Sequence, residues 1–510
     1  MDPKVVAAAR QAFPDAPSIT LGAVVHQGEC DPQPVVRVPL AMLNRHGLIA
    51  GATGTGKTRT LQLVAEQLSN AGVPVLVADV KGDLTGVAVA GEANDRVTKR
   101  ATETGFTWKG SAFPVEFLSL TGERGAQLRA TVSSFGPLLL AKVLGLNETQ
   151  TSVLAMVFKY CDDQKLLLLD FHDLRAVLQY LSGPGADALA EYGGMSKATV
   201  GVLLREMVEL EQQGAEAFFG EPEFELEDLI QIERDGRGLV SVLELADVQD
   251  KPALWSTFLM WMLARLYHEL PEAGDLEKPK LVFFFDEAHL LFDGASKAFR
   301  DQIEQVVRLV RSKGVGVFFI TQSPKDIPAD VLGQLGNRVQ HALRAFTPED
   351  EKALKAAART FPNTPFYDIE ETLTTLGIGE ALITVLAANG APTPPFATRL
   401  IPPAGRMGTL DDAEFAQRLA TPQVKRYAAA VDRESAREML AAKMESSEPA
   451  PARAKTAQGG APTDAGGDVA STLAGMMNSP ILKIIAGRAT TQVMRGLMGA
   501  LVGTPRRRRR

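Results

Sequence analysis

Apolar residues along this chain follow two rhythms. Short strand-like runs, rich in apolar residues, at 47–50, 73–80, 115–120, 238–245, 281–285, 315–321, 339–343 and 381–386 alternate with helix-spaced stretches. That alternation predicts an α/β fold with a mainly parallel sheet, spanning 47–121 and 236–403. The spacing predicts a helix over 58–70, with Leu61, Val64, Ala65 and Leu68 on one face and Gly72 closing it. A longer helix is predicted over 252–269, where Trp255, Phe258, Trp261, Met262 and Leu266 form a core-packing face. Another is predicted around 299–313.

Between 122 and 235 the period is helical almost throughout, at 127–144, 149–161, 172–180 and 196–212. This segment is expected to be an all-helical insertion, large enough to be a subdomain of its own. Ahead of the core, 1–46 reads as a short β leader, with 19–25 and 35–40 as a hairpin or clasp. Pro-rich 391–403 is expected to lead the chain away from the core into a helical extension over 404–445. Residues 446–468, rich in Ala, Pro, Gly, Thr and Ser, read as a disordered linker. A C-terminal helical segment over 469–510 follows, broken at Pro480 and ending in Arg506–Arg510.

Composition narrows the class. The 510 residues are 45% hydrophobic and 23% charged, ordinary for a globular protein. Net charge is −7, and the five terminal arginines contribute +5 of it, leaving −12 on the remainder. An acidic body does not advertise nucleic-acid binding, though a basic channel can sit inside an acidic shell. The two cysteines, Cys30 and Cys161, are far apart, and the six histidines form no metal pair. Those cysteines, with no apolar signal segment and no run of about 20 apolar residues, predict a cytoplasmic protein.

Candidate chemistry starts at 51–58. Gly51-Ala52-Thr53-Gly54-Thr55-Gly56-Lys57-Thr58 is a complete G-x-x-x-x-G-K-[ST] phosphate loop, followed by Arg59. The glycines let backbone N–H groups turn inward around phosphates. Lys57 brings charge to the β/γ-phosphates of ATP, and the Thr58 hydroxyl is placed for Mg²⁺. The second motif is Asp286-Glu287-Ala288-His289, at the tip of the apolar run 281–285. Asp286 would reach Mg²⁺ through water, and Glu287 would polarise the attacking water. An ordinary acidic strand end is the competing reading.

With these motifs in place, the segment 43–58 resembles the phosphate-loop region of bacterial HerA-like ATPases. These are P-loop ATPases of the HerA/FtsK superfamily, and the resemblance is to the YjgR-type branch. Asp79-Val80-Lys81-Gly82-Asp83 resembles that family's acidic segment, and Ile320-Thr321-Gln322-Ser323-Pro324 resembles its sensor. The resemblance implies a RecA-like core, with Gln322 contacting the γ-phosphate and the attacking water. A role for Asp79 and Asp83 in organising Mg²⁺ or water stands beside plain turn formation. It also implies a homo-oligomer, a hexamer, whose ATP sites are completed by an arginine of the next subunit. Arg308, Arg311, Arg338 and Arg344 are the candidates; Arg311 and Arg344 are carried forward as catalytic. HerA itself has an N-terminal β-barrel that helps it dock a nuclease. The 46 residues before Gly47 are too few for that barrel, so a nuclease partner is doubtful and is not carried over from the resemblance.

Two functions compete. One is a Mg²⁺-dependent ATP hydrolase acting as an oligomeric motor on DNA or another polymer. The other is a nucleotide-switched oligomeric scaffold, associated with a membrane surface, without DNA translocation. A small-molecule kinase is a third and weaker reading. The Arg506–Arg510 cluster has three candidate targets: anionic lipid, DNA phosphates, or the acidic body of its own oligomer.

Overall fold

The computed structural model describes residues 1–447 except 275 and 294–296. The expected segment 469–510 and all but the first two residues of the linker 446–468 lie outside the described residues.

The strands are β1 (Ser18–His26), β2 (Glu29–Pro39), β3 (Gly47–Ala50), β4 (Val75–Asp79), β5 (Val115–Ser119) and β6 (Ala126–Gln127). They continue as β7 (Val240–Glu244), β8 (Leu281–Phe285), β9 (Val315–Thr321), β10 (Asn337–His341), β11 (Glu380–Thr384) and β12 (Phe396–Leu400). They form one 12-stranded sheet in the order β2-β1-β12-β11-β10-β3-β9-β8-β4-β7-β5-β6. From β10 to β6 every pairing is parallel. From β10 out to β2 every pairing is antiparallel.

The central strands are buried on both faces, so they read as apolar runs rather than as alternation. Their side chains nevertheless divide by pleat. Leu281, Phe283 and Phe285 of β8, with Val315, Val317 and Phe319 of β9, enter one core. Val282, Phe284, Phe318 and Ile320 enter the other. That second core is closed by Leu61, Val64 and Leu68 of the helix Lys57–Asn70 and by Val5 and Ala9 of the helix Pro3–Ala12.

The first core is closed by the helices of the 122–235 segment together with Pro252–Glu269 and Lys297–Val310. Leu154, Val157, Leu174 and Leu203 share one apolar cluster with the sheet face. The segment therefore packs as a layer of the sheet rather than around a core of its own. After 403 come the helices Asp412–Arg418, Pro422–Ala428 and Ala436–Ser447. Tyr427 is buried against the helical segment, its hydroxyl donating to Asp228 Oδ2 at 2.7 Å.

Four local expectations are corrected. The 122–235 segment is not all helix, because Ala126–Gln127 is strand β6, paired parallel with β5 at the sheet edge. Residues 391–403 do not leave the core: Phe396–Leu400 is the buried strand β12, paired between β1 and β11. The helix expected over 127–144 is broken into Val132–Phe135 and Pro137–Val143. Gly136 sits between them at φ +74°, and Pro137 starts the second piece. The leader is not only β, because the helix Pro3–Ala12 opens it, capped by the Asp2 side chain. No helix among the described residues is long and apolar enough to cross a membrane.

Candidate functional site

The phosphate loop leaves the tip of β3 and enters the helix Lys57–Asn70 at Gly56, which has φ +117° and no side-chain cap. First-turn N–H groups of an uncapped helix seek an anion, and the helix dipole favours one there. Gly51 is required by space. A Cβ on it would lie 2.4 Å from His341 Cβ. Lys57 is buried, and its Nζ donates to the carbonyl oxygens of Gly51 at 2.7 Å and Ala52 at 3.3 Å. Burial lowers the Lys57 pKa, and the charges of Glu287 and Asp286 oppose that. The ammonium is thus held by backbone oxygens at the mouth of the loop.

Parallel strands bring further groups to the same edge. β9 lies between β3 and β8, so Gln322, just past the β9 tip, stands between the loop and Asp286. Asp286 is buried, and burial, then the neighbouring Glu287 and Asp79, push its pKa up to about 7. Its Oδ1 accepts the Glu287 N–H at 2.9 Å, while its Oδ2 is buried without a hydrogen-bond partner. Glu287 has φ +46°, a left-handed conformation costly for a side chain of this kind. Such strain persists only where the surroundings impose it. The Glu287 carboxylate is bonded by Lys81 Nζ, and His289 Nδ1 lies 3.3 Å from its other oxygen.

Asp79, Asp83 and Asp286 bring carboxylate oxygens within 4.8 Å of one another. Asp79 also accepts the N–H groups of Lys81, Gly82 and Leu84, so it holds its own turn. Burial pushes its pKa up to about 6. The donor set suits a hard divalent cation, which takes oxygen ligands. Asp286 Oδ2, a buried carboxylate oxygen lacking any proton donor, is the observation that makes Mg²⁺ fit.

Lys57, Asp286, Glu287 and Gln322 therefore converge, with Thr58 and Arg59 in the first helical turn beside them. Ala52, Thr53, His289, Gln322, Lys325 and Arg344 line an adjoining cleft of about 1090 Å³. Of the four candidate arginines, Arg344 is the one that lines this cleft. Arg311 is exposed in the turn Arg311–Lys313, before β9, at the opposite sheet edge from Gln322. Arg344 is at the cleft and donates to the Thr374 carbonyl at 2.8 Å. Arg308 pairs with Glu304, and Arg338 is spent on the carbonyls of Leu335, Thr360 and Leu332.

Sequence reading missed three neighbours of the site. Lys81 was visible only as the basic member of an acidic segment, yet it reaches Glu287 across 206 residues. His341 is fully buried under Gly51, with Nε2 2.8 Å from Thr60 Oγ1; burial holds its pKa down at about 4. Glu244, at the β7 tip, has a pKa pushed up to about 7 by burial and then by Asp79. Neither His341 nor Glu244 stood in a motif.

Sheet order, uncapped glycine loop and acidic strand tip together define a P-loop ATPase fold of the FtsK–HerA type. A family model described as helicase HerA-like C-terminal matches residues 25–509, and the chain belongs to that family. The DNA double-strand break repair helicase HerA of Sulfurisphaera tokodaii is 24% identical over 362 residues, 68% of this chain and 64% of that protein. A probable helicase of Methanocaldococcus jannaschii is 29% identical over 154 residues, 28% of each chain. The chain thus matches less than two thirds of the length of either relative. Among solved structures, plasmid coupling protein TrwB with a non-hydrolysable GTP analogue superposes with a TM-score of 0.51 at 13% identity, covering 79% of this chain and 95% of that one. The same protein with an ATP analogue gives 0.50 at 14% identity, with the same coverage. At such identity the likeness is one of fold.

Proposed function

We propose that this chain is a Mg²⁺-dependent ATP hydrolase of the HerA/FtsK type, working as an oligomeric motor, a hexamer, on DNA or another polymer. The observation that carries the reading is the left-handed, Lys81-bonded Glu287 beside Asp286, facing an uncapped phosphate loop. Strain at a carboxylate in that position has a use in aiming it at water.

On ATP binding, Lys57 exchanges the carbonyl oxygens of Gly51 and Ala52 for β/γ-phosphate oxygens. Thr58 and Asp286 would hold Mg²⁺, which neutralises phosphate charge when bound. Glu287 accepts a proton from the attacking water as the water oxygen bonds to the γ-phosphorus and the bond to ADP breaks. Gln322 orients that water through its amide. Arg311 or Arg344 of a neighbouring subunit would complete the charge stabilisation in trans.

The test is ATP turnover with Mg²⁺, measured with and without duplex DNA over a range of protein concentrations. Turnover per chain that rises with concentration and is stimulated by DNA supports an oligomeric motor. Turnover that ignores DNA favours the nucleotide-switched scaffold. Absence of Mg²⁺-dependent turnover at every concentration removes both. Mixing Lys57→Ala chains with Arg344→Ala or Arg311→Ala chains identifies the finger, because some hybrid interfaces then pair an intact loop with an intact arginine.

A further inference from the structure

We propose that the turn Gly377–Glu380, with Ile378 at its apex, is the nucleobase end of the ATP site. This rests on the phosphate-loop reading above. β3 has β9 and β8 on one side, carrying Gln322 and Asp286, and β10 then β11 on the other. A triphosphate laid on the loop with its γ end toward Asp286 must send its sugar and base toward the β10–β11 side. The group waiting there is the turn that leads into β11.

That turn is joined to the loop itself. The Gly379 N–H donates to the Thr55 carbonyl at 2.9 Å, and a Cβ on Gly56 would lie 3.4 Å from Gly379 Cα. The turn is also rigid. Arg100 forks onto it, one nitrogen donating to the Ile378 carbonyl at 2.8 Å and another to the Gly379 carbonyl at 3.2 Å. Gly377 N–H donates to Glu380 Oε2 at 2.9 Å, and Leu400 N–H to the Gly379 carbonyl at 3.0 Å. With its backbone so bound, Ile378 is still 72% exposed. A large apolar side chain held out on a fixed turn beside a phosphate loop is a platform for a flat aromatic ligand. Its contact is apolar, so the platform accepts a purine face and reads no hydrogen-bonding edge.

The experiment is calorimetric titration of the full chain with ATP and with inorganic tripolyphosphate, both with Mg²⁺. The proteins are wild type, Ile378→Asp and Ile378→Leu. Wild type is expected to bind ATP at least about tenfold more tightly than tripolyphosphate. Ile378→Asp is expected to lose about tenfold for ATP and to keep tripolyphosphate within about twofold, while Ile378→Leu keeps both. Equal affinity of wild type for the two ligands overturns the base platform and leaves the phosphate loop standing. So does an Ile378→Asp variant that keeps ATP affinity, or loses both ligands alike. Wild type that binds neither ligand overturns the phosphate-loop reading and this inference with it.

Discussion

In the parallel half of the sheet, β10 to β6, every strand runs the same way, so all the C-terminal tips share one edge. The phosphate loop, Asp79, Glu244, Asp286, Gln322 and His341 all stand at or just past those tips. In the antiparallel flank, β2-β1-β12-β11, neighbouring strands present opposite ends, so their tips share no one edge, and it is the turn into β11 that reaches the phosphate loop, through the Gly379 N–H and the Thr55 carbonyl. The electrostatics differ accordingly. The parallel edge buries carboxylates whose pKa values are pushed up to about 6 for Asp79 and about 7 for Asp286 and Glu244. On that edge Glu244 is paired with Arg124 and Glu287 with Lys81, each a buried carboxylate against a more exposed base, whereas in the flank Arg399 bridges Glu380 at 2.8 Å and Glu103 at 3.1 Å with all three side chains partly in water. One half holds buried charge at a shared edge, and the other ties the sheet to the Gly377–Glu380 turn.

The largest test of that contrast is chemical. Glu287→Gln keeps the shape and removes the base, so turnover should fall about 10²- to 10⁴-fold while ATP affinity stays within about threefold. Lys57→Ala should abolish ATP binding itself. Calorimetry and phosphate release separate the two outcomes. A Glu287→Gln protein that hydrolyses ATP at the wild-type rate assigns the base elsewhere.

Next in size is a matched pair of core truncations. Phe284 of β8 and Phe396 of β12 are both fully buried, each among other rings. Each change to Ala should cost about 3–5 kcal/mol in denaturant unfolding. Only Phe284→Ala should also slow turnover in the folded fraction, because its strand carries Asp286 and Glu287. Comparable turnover losses in both variants would mean that the flank shares in the chemistry.

Legibility divided along the same line. β8 and β9 could be bounded to the residue, because a strand buried on both faces is an apolar run with polar ends. β12 could not be found, because it is flanked by prolines and its partner β1 lies more than 370 residues earlier. The phosphate loop and Asp286-Glu287 are local motifs and were visible. The Lys81–Glu287 contact and the burial of His341 under Gly51 depend on strand order, which local spacing does not encode. The broken helix was different: Gly136-Pro137 announced it in plain sequence.

Smaller effects come from the buried carboxylates. The Glu244 pKa is raised in the folded state, from an ordinary 4.5 to about 7. The folded protein therefore holds this proton where the unfolded chain releases it. The stabilisation is full below about pH 4.5 and is lost as pH rises through about 7. Glu244→Gln cannot titrate, so its unfolding free energy should gain about 1–3 kcal/mol on wild type between pH 5 and pH 8. Asp286 and Asp79 keep part of the slope. A pH-independent difference between the two proteins would place the Glu244 proton elsewhere.

The smallest effect should come from the flank's ion pairs. Arg399 lies on β12 and ties Glu380, which starts β11, to Glu103 on the helix Asp95–Thr104. All three side chains keep some water contact, so solvent screening discounts the pairing. Arg399→Met should cost about 1 kcal/mol at low salt, and less at 0.5 M salt, where the Debye length falls to about 4 Å. Its ATP affinity should remain within about twofold, because Arg100 and Thr55 still hold the Gly377–Glu380 turn. A larger loss of ATP affinity with tripolyphosphate binding intact would show that the flank does more than scaffold the sheet: through Glu380 it would be setting the position of Ile378.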